Sequence, residues 1–397
     1  MKTWLCLLVV LVFVEAHAET KFTYAGDAYV RAYFRNTTGD TGNQAFNQFF
    51  RLSVNAKPDD NLTVKVGAVL SSNTWEGDNH RALPATGATS IGGTNDDGFG
   101  SDNVTRLDHA VIEYKKDNWI TSVGRHAVTS PGSFLTSDDR RDRIQVVKVR
   151  DNYDAIAIIY DKRAEGSLTD SNDDVDMYSL NYYGSIDTYK YALQTGYWSS
   201  KKYNAATSGF NGANLDEIKQ FTPQLEGKLA GLDFNFYYSI LFGGSALYKG
   251  DHHSAALKLS KDLEFMKIEA QSIVVKNGGL IASGFDSLSS IVNNSPDHNN
   301  SSIKLKTIGF GLGNKKADES LHMLRVSKNF TPEFTATIGG GWGEFFNTAT
   351  TPLQKNSVVD ATARYNFSQN LLLAANYGHF FGDFEDHAGS LTLKATF

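Results

Sequence analysis

The residues able to do chemistry are few and scattered. Asp170, Asn172 and Asp174 in "DSNDD" alternate as the first ligands of a calcium loop do. Such a loop also needs a glycine at its sixth place and a glutamate at its twelfth, where Val175 and Asn181 stand. The three residues are therefore a weak calcium candidate, and a solvated loop is favoured. His252 and His253 adjoin in "DHH", but two neighbouring histidines rarely make a metal site alone. "GFGLG" (309–313) has no βαβ unit around it to make a dinucleotide fingerprint. Serine, histidine and aspartate form no nucleophile–base arrangement, so nothing marks an enzyme and no cofactor is implied. What remains is a set of cations on alternating segments. Arg31 shares its parity with Asp27, Tyr29 and Tyr33, Arg51 with Asn47 and Ser53, and Lys65 with Thr63.

Residues two apart in a strand point the same way, so such cations need strands to hold them. In "FTYAGDAYVRAYF", Phe22, Tyr24, Ala28, Val30, Ala32 and Phe34 form the opposite, apolar face. Phe46, Phe50, Leu52, Val54 and Ala56 do the same across from Arg51, and Leu62, Val64, Val66, Ala68 and Leu70 across from Lys65. The closing "HAGSLTLKATF" alternates too, with Leu391, Leu393, Ala395 and Phe397 on one face. Between such segments lie very short connections, such as "PDDN" (58–61), "GSID" (184–187) and "NFSQN" (366–370). They alternate with long polar ones, such as 72–104, 128–142, 199–217 and 277–319. This rhythm predicts an all-β, antiparallel up-and-down transmembrane β-barrel, with short periplasmic turns and long extracellular loops. About eight short turns imply about 18 strands, with 16 as the alternative. The polar faces then line a lumen and the apolar ones meet lipid.

Composition agrees. Phe (25), Tyr (18) and Gly (35) are abundant and Pro (7) is scarce, a β-rich usage. "MKTWLCLLVVLVFVEAHAET" has a basic start, an apolar run and Ala16-His17-Ala18, the layout of a signal peptide cleaved after residue 18. Residues 19–397 then form a single barrel domain. The one cysteine, Cys6, leaves with the signal, so no disulfide or thiolate site is available. No later segment is apolar for the ~18 residues of a membrane helix. The net charge of −6 argues against nucleic acid as a partner.

Several short motifs resemble a Gram-negative outer-membrane general porin. "FFRLSVNAK" is similar to that family's second strand, "VTRLDHAVIEYK" to the strand ahead of the second turn, "ITSVGRHAV" to the strand leading into the third outside loop, and "VVKVRDNYDAIAIIYD" to the strand–turn–strand that follows that loop. The resemblance implies pore-wall arginines at Arg51, Arg106 and Arg150 with Arg125 nearby, beside the lumen-facing Arg31 and Lys65. It implies a constriction loop at 128–142, with Asp138 and Asp139 as its acids. It also implies a homotrimer in outer-membrane lipid and lipopolysaccharide. Phe397 would be the assembly signal read by the barrel assembly machinery. Two features depart from the family: the loop is short, and Arg140, Arg141 and Arg143 follow its acids closely.

The implied function is passive diffusion of small hydrophilic solutes and ions across the outer membrane. A substrate-specific channel for sugars, carboxylates or phosphate is the alternative, kept open by the inward Tyr29 and Tyr33. A secreted soluble β binding protein is the rival from another class.

Overall fold

The alternating segments all become strands in the computed structural model of the protein, which describes residues 20–37, 42–74, 106–150, 154–164, 174–199, 217–243, 251–293, 303–309, 318–347 and 350–397. In chain order the strands are β1 (Lys21–Asn36), β2 (Asn43–Lys57), β3 (Leu62–Thr74), β4 (Arg106–Lys116), β5 (Trp119–Val128), β6 (Asp139–Val149), β7 (Ala155–Ala164), β8 (Val175–Ile186) and β9 (Tyr189–Ser199). They continue as β10 (Ile218–Leu229), β11 (Leu232–Gly243), β12 (His252–Asp262), β13 (Lys267–Lys276), β14 (Glu319–Asn329), β15 (Phe334–Asn347), β16 (Thr350–Ser368), β17 (Leu371–Gly382) and β18 (His387–Thr396). Each pairs with the next, and β18 returns to β1 in a register running from Asp27↔Thr396 to Asn36↔His387. The sheet is an 18-stranded closed barrel rather than a 16-stranded one. Closure leaves no strand edge with unmet backbone groups, which is what a bilayer requires. The signal segment and the calcium candidates Asp170 and Asn172 lie outside the described residues. Asp174 is described, and it pairs with Lys162.

The turns at one rim are as short as two residues. Asp117 and Asp187 take positive φ there (51° and 54°), a conformation aspartate tolerates better than branched residues. The outer face is apolar and exposed, from Val30 and Leu70 through Ile158 and Ile338 to Leu393. Aromatic rings gather at both ends of it. Tyr160, Tyr178 and Tyr197 are cross-strand neighbours toward the long-loop rim. Trp119, Phe330 and Phe367 stand exposed at the short-turn rim. Two aromatic girdles around an apolar band are the signature of a membrane-spanning barrel.

Phe397 completes the short-turn girdle. Its N–H donates to the Gly26 carbonyl (3.0 Å) and its carbonyl accepts from the Gly26 N–H (2.7 Å). Its ring stacks on Phe50 at 5.9 Å. A Cβ on Gly26 would lie 2.4 Å from that ring, so glycine makes the slot that Phe397 fills.

The interior is not simply wet. Residues 277–293 and 303–309, which composition marks as part of a polar outside loop, turn inward instead. Ile281, Phe285, Leu288, Ile291 and Val292 are fully or almost fully buried against Ile273, Val275, Leu321, Phe345, Val358 and Phe380 of the wall. The apolar core of the protein therefore lies inside the barrel, against β11 to β18. Residues 303–309 add no strand; they fold back along this loop through a parallel bridge between Val292 and Lys306.

Candidate functional site

An 18-stranded barrel is too wide for its wall side chains to fill, so the shape of its lumen depends on what folds into it. Two segments do. The first, residues 129–138, leaves β5 and closes on itself. The Ser130 hydroxyl accepts from the backbone of Leu135 (2.9 Å) and Thr136 (3.1 Å). The Ser130 N–H donates to the Thr136 carbonyl (2.9 Å). The tip is a short 3-10 turn, Pro131–Ser133, followed by Phe134. Gly132 (φ 61°) lies so near Tyr237 of β11 that a Cβ would sit 2.1 Å from the phenol oxygen. Phe134 is wholly buried, stacked on Tyr237 at 5.2 Å and edge-on to Phe285 at 5.2 Å. Phe285 belongs to the second inserted segment. The Ala282 N–H of that segment donates to the Phe134 carbonyl (2.7 Å). The two loops are thus locked to each other and to the wall beneath them.

Around this lock, charges are interleaved rather than separated. Arg51 on β2 bonds Asp27 of β1 (2.7 Å) and lies 3.6 Å from Asp108 and 3.8 Å from Asp138. A bulge in the β3–β4 pairing re-aims Asp108 into this group. Arg140 bonds the same acids, Asp108 at 2.8 Å and Asp138 at 2.7 Å. A second cluster follows on β6 and β7. Asp161, wholly buried, accepts from Arg143 (2.6 Å) and Arg141 (3.0 Å). Asp139 accepts from Arg141 (2.9 Å) and Arg163 (3.2 Å). Arg141 also bonds the Thr136 hydroxyl (2.8 Å), tying wall to loop.

A third cluster pins the second loop. Asp286 lies 3.3 Å from Arg325 and 3.4 Å from Lys258, and both cations reach Glu269 as well (2.6 and 2.9 Å). Burial alone would raise the Asp286 carboxyl, but the Arg325 and Lys258 charges outweigh it and hold the group below its ordinary value.

The remaining expected residues fall as follows. Arg31 is buried on the inner face, bonded to Asn47 (3.2 Å) and lying over the rings of Tyr29 and Tyr33. Lys65 faces inward and pairs with Glu113 (3.1 Å). Arg106 is level with the inward Val69 at the long-loop end of β4. Arg150 stands just beyond β6 in a short turn, its N–H donating to the Asp154 carbonyl (2.6 Å), far from the inserted loops along the chain's rise.

Arg125 departs from expectation. Register places it opposite Ala110, on the same face as Val123 and Ile112, and it pairs with Asp142 (3.4 Å) on the outside of the barrel. Strand parity, two residues from Val123, already carried that information. His252 and His253 point to opposite faces of β12, since one bonds the Asn277 carbonyl inside and the other the Tyr238 hydroxyl (2.7 Å) outside. Among the described residues no group of three or more His, Cys, Asp or Glu could hold a metal. Sequence reasoning did not find Asp27, Asp108, Asp161, Glu269, Asp286 or Arg325, whose arginine–carboxylate hydrogen bonds span 18 to 56 positions in the chain.

A closed 18-stranded barrel with inserted loops is the fold of an outer-membrane channel. No family model matches the sequence, and no curated protein does. Solved structures do. The outer membrane protein OpdK of Pseudomonas aeruginosa superposes with a TM-score of 0.62 at 13% identity, over 94% of this chain and 99% of that one. OccK2 (OpdF) of the same organism, solved in complex with glucuronate, gives 0.62 at 12%, over 95% and 98%. OccAB4 of Acinetobacter baumannii gives 0.61 at 13%, over 96% and 100%. The shared feature is the fold, over nearly the whole length of both chains.

Proposed function

We propose that this protein is an outer-membrane channel for a restricted class of small hydrophilic solutes, a substrate-specific channel rather than an open diffusion pore. One observation carries the reading: two inserted segments are locked together at Phe134, Tyr237 and Phe285, so packed side chains narrow the lumen from more than one side. A solute that passes must exchange its hydration for wall contacts, and that exchange is what makes flux selective and saturable. The neighbours support it. OpdK has been solved with vanillate and OccK2 with glucuronate, both solutes with a single six-membered ring.

In this reading the constriction is residues 129–138 of the expected loop 128–142, since Val128 closes β5 and Asp139 opens β6. Arg31, Arg51, Lys65 and Arg106 line the wall, and Asp138 to Arg143 form its charged edge. Residues 1–18 are a signal peptide, Phe397 is the assembly signal, and the barrel assembles as a homotrimer in outer-membrane lipid. Because arginine keeps its charge in any accessible site, the wall works unchanged across growth pH.

The test is conductance of the purified protein in a planar bilayer as salt and solute are raised. Current that saturates, and that one solute class blocks, is the expected result. Current that rises linearly and is blocked by nothing of single-ring size would return the protein to the general-porin reading.

A further inference from the structure

We infer that the inner wall just beside the tip of the first inserted loop carries a binding notch for one uncharged, hydroxyl-rich ring, a neutral monosaccharide. This deepens the channel reading and rests on it for its physiological role. The notch is a cavity of about 190 Å³ bounded by Pro131 of the loop and by Tyr183, Lys190, Ala192, Gln224 and Tyr237 of β8 to β11. Register sets Tyr183, Ala192, Gln224 and Tyr237 side by side on four consecutive strands, all on the inner face. Ala192 keeps the floor low between the two phenols. The space lies below the ~300–1,000 Å³ of drug-sized pockets, which limits the occupant to about one ring.

The polar groups are poised for hydroxyls. Gln224 is only 6% exposed, and its Nε2 donates to Gln194 Oε1 (3.1 Å). Gln194 Nε2 in turn donates to the Tyr183 hydroxyl (3.4 Å). This chain of bonds fixes the Gln224 amide and leaves its Oε1 buried with no partner among the described residues. A buried acceptor left open is a standing penalty that a donor from a ligand would remove. A hydroxyl supplies that donor without bringing a charge.

Charge argues the same way. Among the described residues the only ionic groups that line the notch, Lys190 and Glu226, pair with each other at its lip (3.4 Å). An anion would find no unbalanced cation here, and a site built to hydrogen-bond hydroxyls discriminates strongly against solutes that lack them. The Tyr183 ring and the Pro131 ring add the flat, apolar contact that a pyranose face prefers.

The experiment separates the notch from the channel. Equilibrium dialysis of radiolabelled D-glucose against the folded, detergent-solubilised protein reads binding, and glucose added to a planar bilayer reads block of ion current. Gln224→Met and Tyr183→Leu are compared with the natural protein, folding being checked by heat-modifiable migration. The expected result is saturable glucose binding that weakens about tenfold in Gln224→Met, as loss of one buried hydrogen bond predicts, and that falls in Tyr183→Leu too. Glucose binding without any conductance would sink the channel reading and leave the notch standing. Conductance blocked by glucuronate or vanillate but not by glucose, or glucose binding unchanged in both variants, would overturn the notch and leave the channel.

Discussion

Replacing Phe134 by alanine tests the central claim that the inserted loops are held by packing. The ring is wholly buried between Tyr237 and Phe285, at 5.2 Å from each. Removing a buried phenylalanine from a packed site costs about 3–5 kcal/mol in lost transfer energy and cavity formation. The other ties at the tip are weaker. The Ala282–Phe134 backbone bond survives the substitution but contributes only about 1 kcal/mol net. A loss of about 3 kcal/mol lowers the ratio of docked to undocked tip by a factor of roughly 100. The strand ladder is untouched, so the barrel itself should keep its heat-modifiable migration. In single-channel recordings Phe134→Ala should therefore show a higher mean conductance, with open-channel noise from a tip that docks and undocks. Phe134→Leu, which refills part of the cavity, should fall between. A folded Phe134→Ala channel with the conductance and noise of the natural protein would refute the packing argument.

Three further outcomes follow from the same geometry. Gly26→Val should displace the Phe397 ring from its slot, since even a Cβ would meet it at 2.4 Å, and the folded fraction recovered from membranes should drop, as it should on deletion of Phe397. Asp161→Asn leaves Arg141 and Arg143 without their shared carboxylate, so the reversal potential under a salt gradient should move toward anion preference, whereas Arg125→Ala, on the outer face, should leave it in place. The Asp286 carboxyl is held below its ordinary value of 3.8, so its ion pairs stabilise the second loop fully above that pH and lose strength only as pH falls through the depressed value; the conductance change that Asp286 carries should come only below about pH 4, and Asp286→Asn should show it at neutral pH and remove it from the acid range.

The faces of the strands were open to reading because each strand carries its own two-residue period. Arg31, Arg51 and Lys65 all point inward as their apolar neighbours require, and β18 presents Leu391 and Leu393 outward. Arg125 shows the cost of setting that period aside in favour of a motif: its parity with Val123 puts it outside, whatever its neighbourhood resembles. The ion clusters were hidden for a different reason. Asp161 meets Arg143 through the register of β6 with β7, and Arg325 meets Glu269 across a loop whose length says nothing of its course. The inserted second loop was masked by its serines and glycines. Its signal lay instead in two places at once: apolar residues at Ile281, Phe285, Leu288 and Ile291, and strands such as β13 and β14 whose inward positions nearest the long loop, Ile273, Val275, Leu321 and Met323, are apolar like their outward neighbours, although Glu269 and Arg325 further along face inward too. A wall apolar on both faces borders lipid on one side and protein, not water, on the other.

That two-faced wall bears on how selectivity is divided in the proposed channel. Against β11 to β18 the lumen is closed by packed hydrocarbon and by the balanced group of Lys258, Arg325, Glu269 and Asp286, and across β1 to β7 it is edged by cations that already have acids: Arg51 with Asp27, Arg143 with Asp161, Lys65 with Glu113. Paired charges make steep local fields but little net potential at a distance, so they orient a passing dipole more than they attract an ion. Between these two regions stand β8 to β11, whose inward groups include Asn181, Gln194, Gln220, Thr222, Gln224 and Ser239, all buried and all uncharged. Such groups discriminate by the number and placement of hydrogen bonds, and each bond is weak enough to let go. A channel that narrows against hydrocarbon, balances its ions and lines the intervening wall with amides selects by hydroxyl pattern rather than by charge. Its permeability ranking should therefore follow the hydroxyl count of single-ring solutes at equal size, and a ranking that followed their net charge instead would place the selecting groups among the arginines.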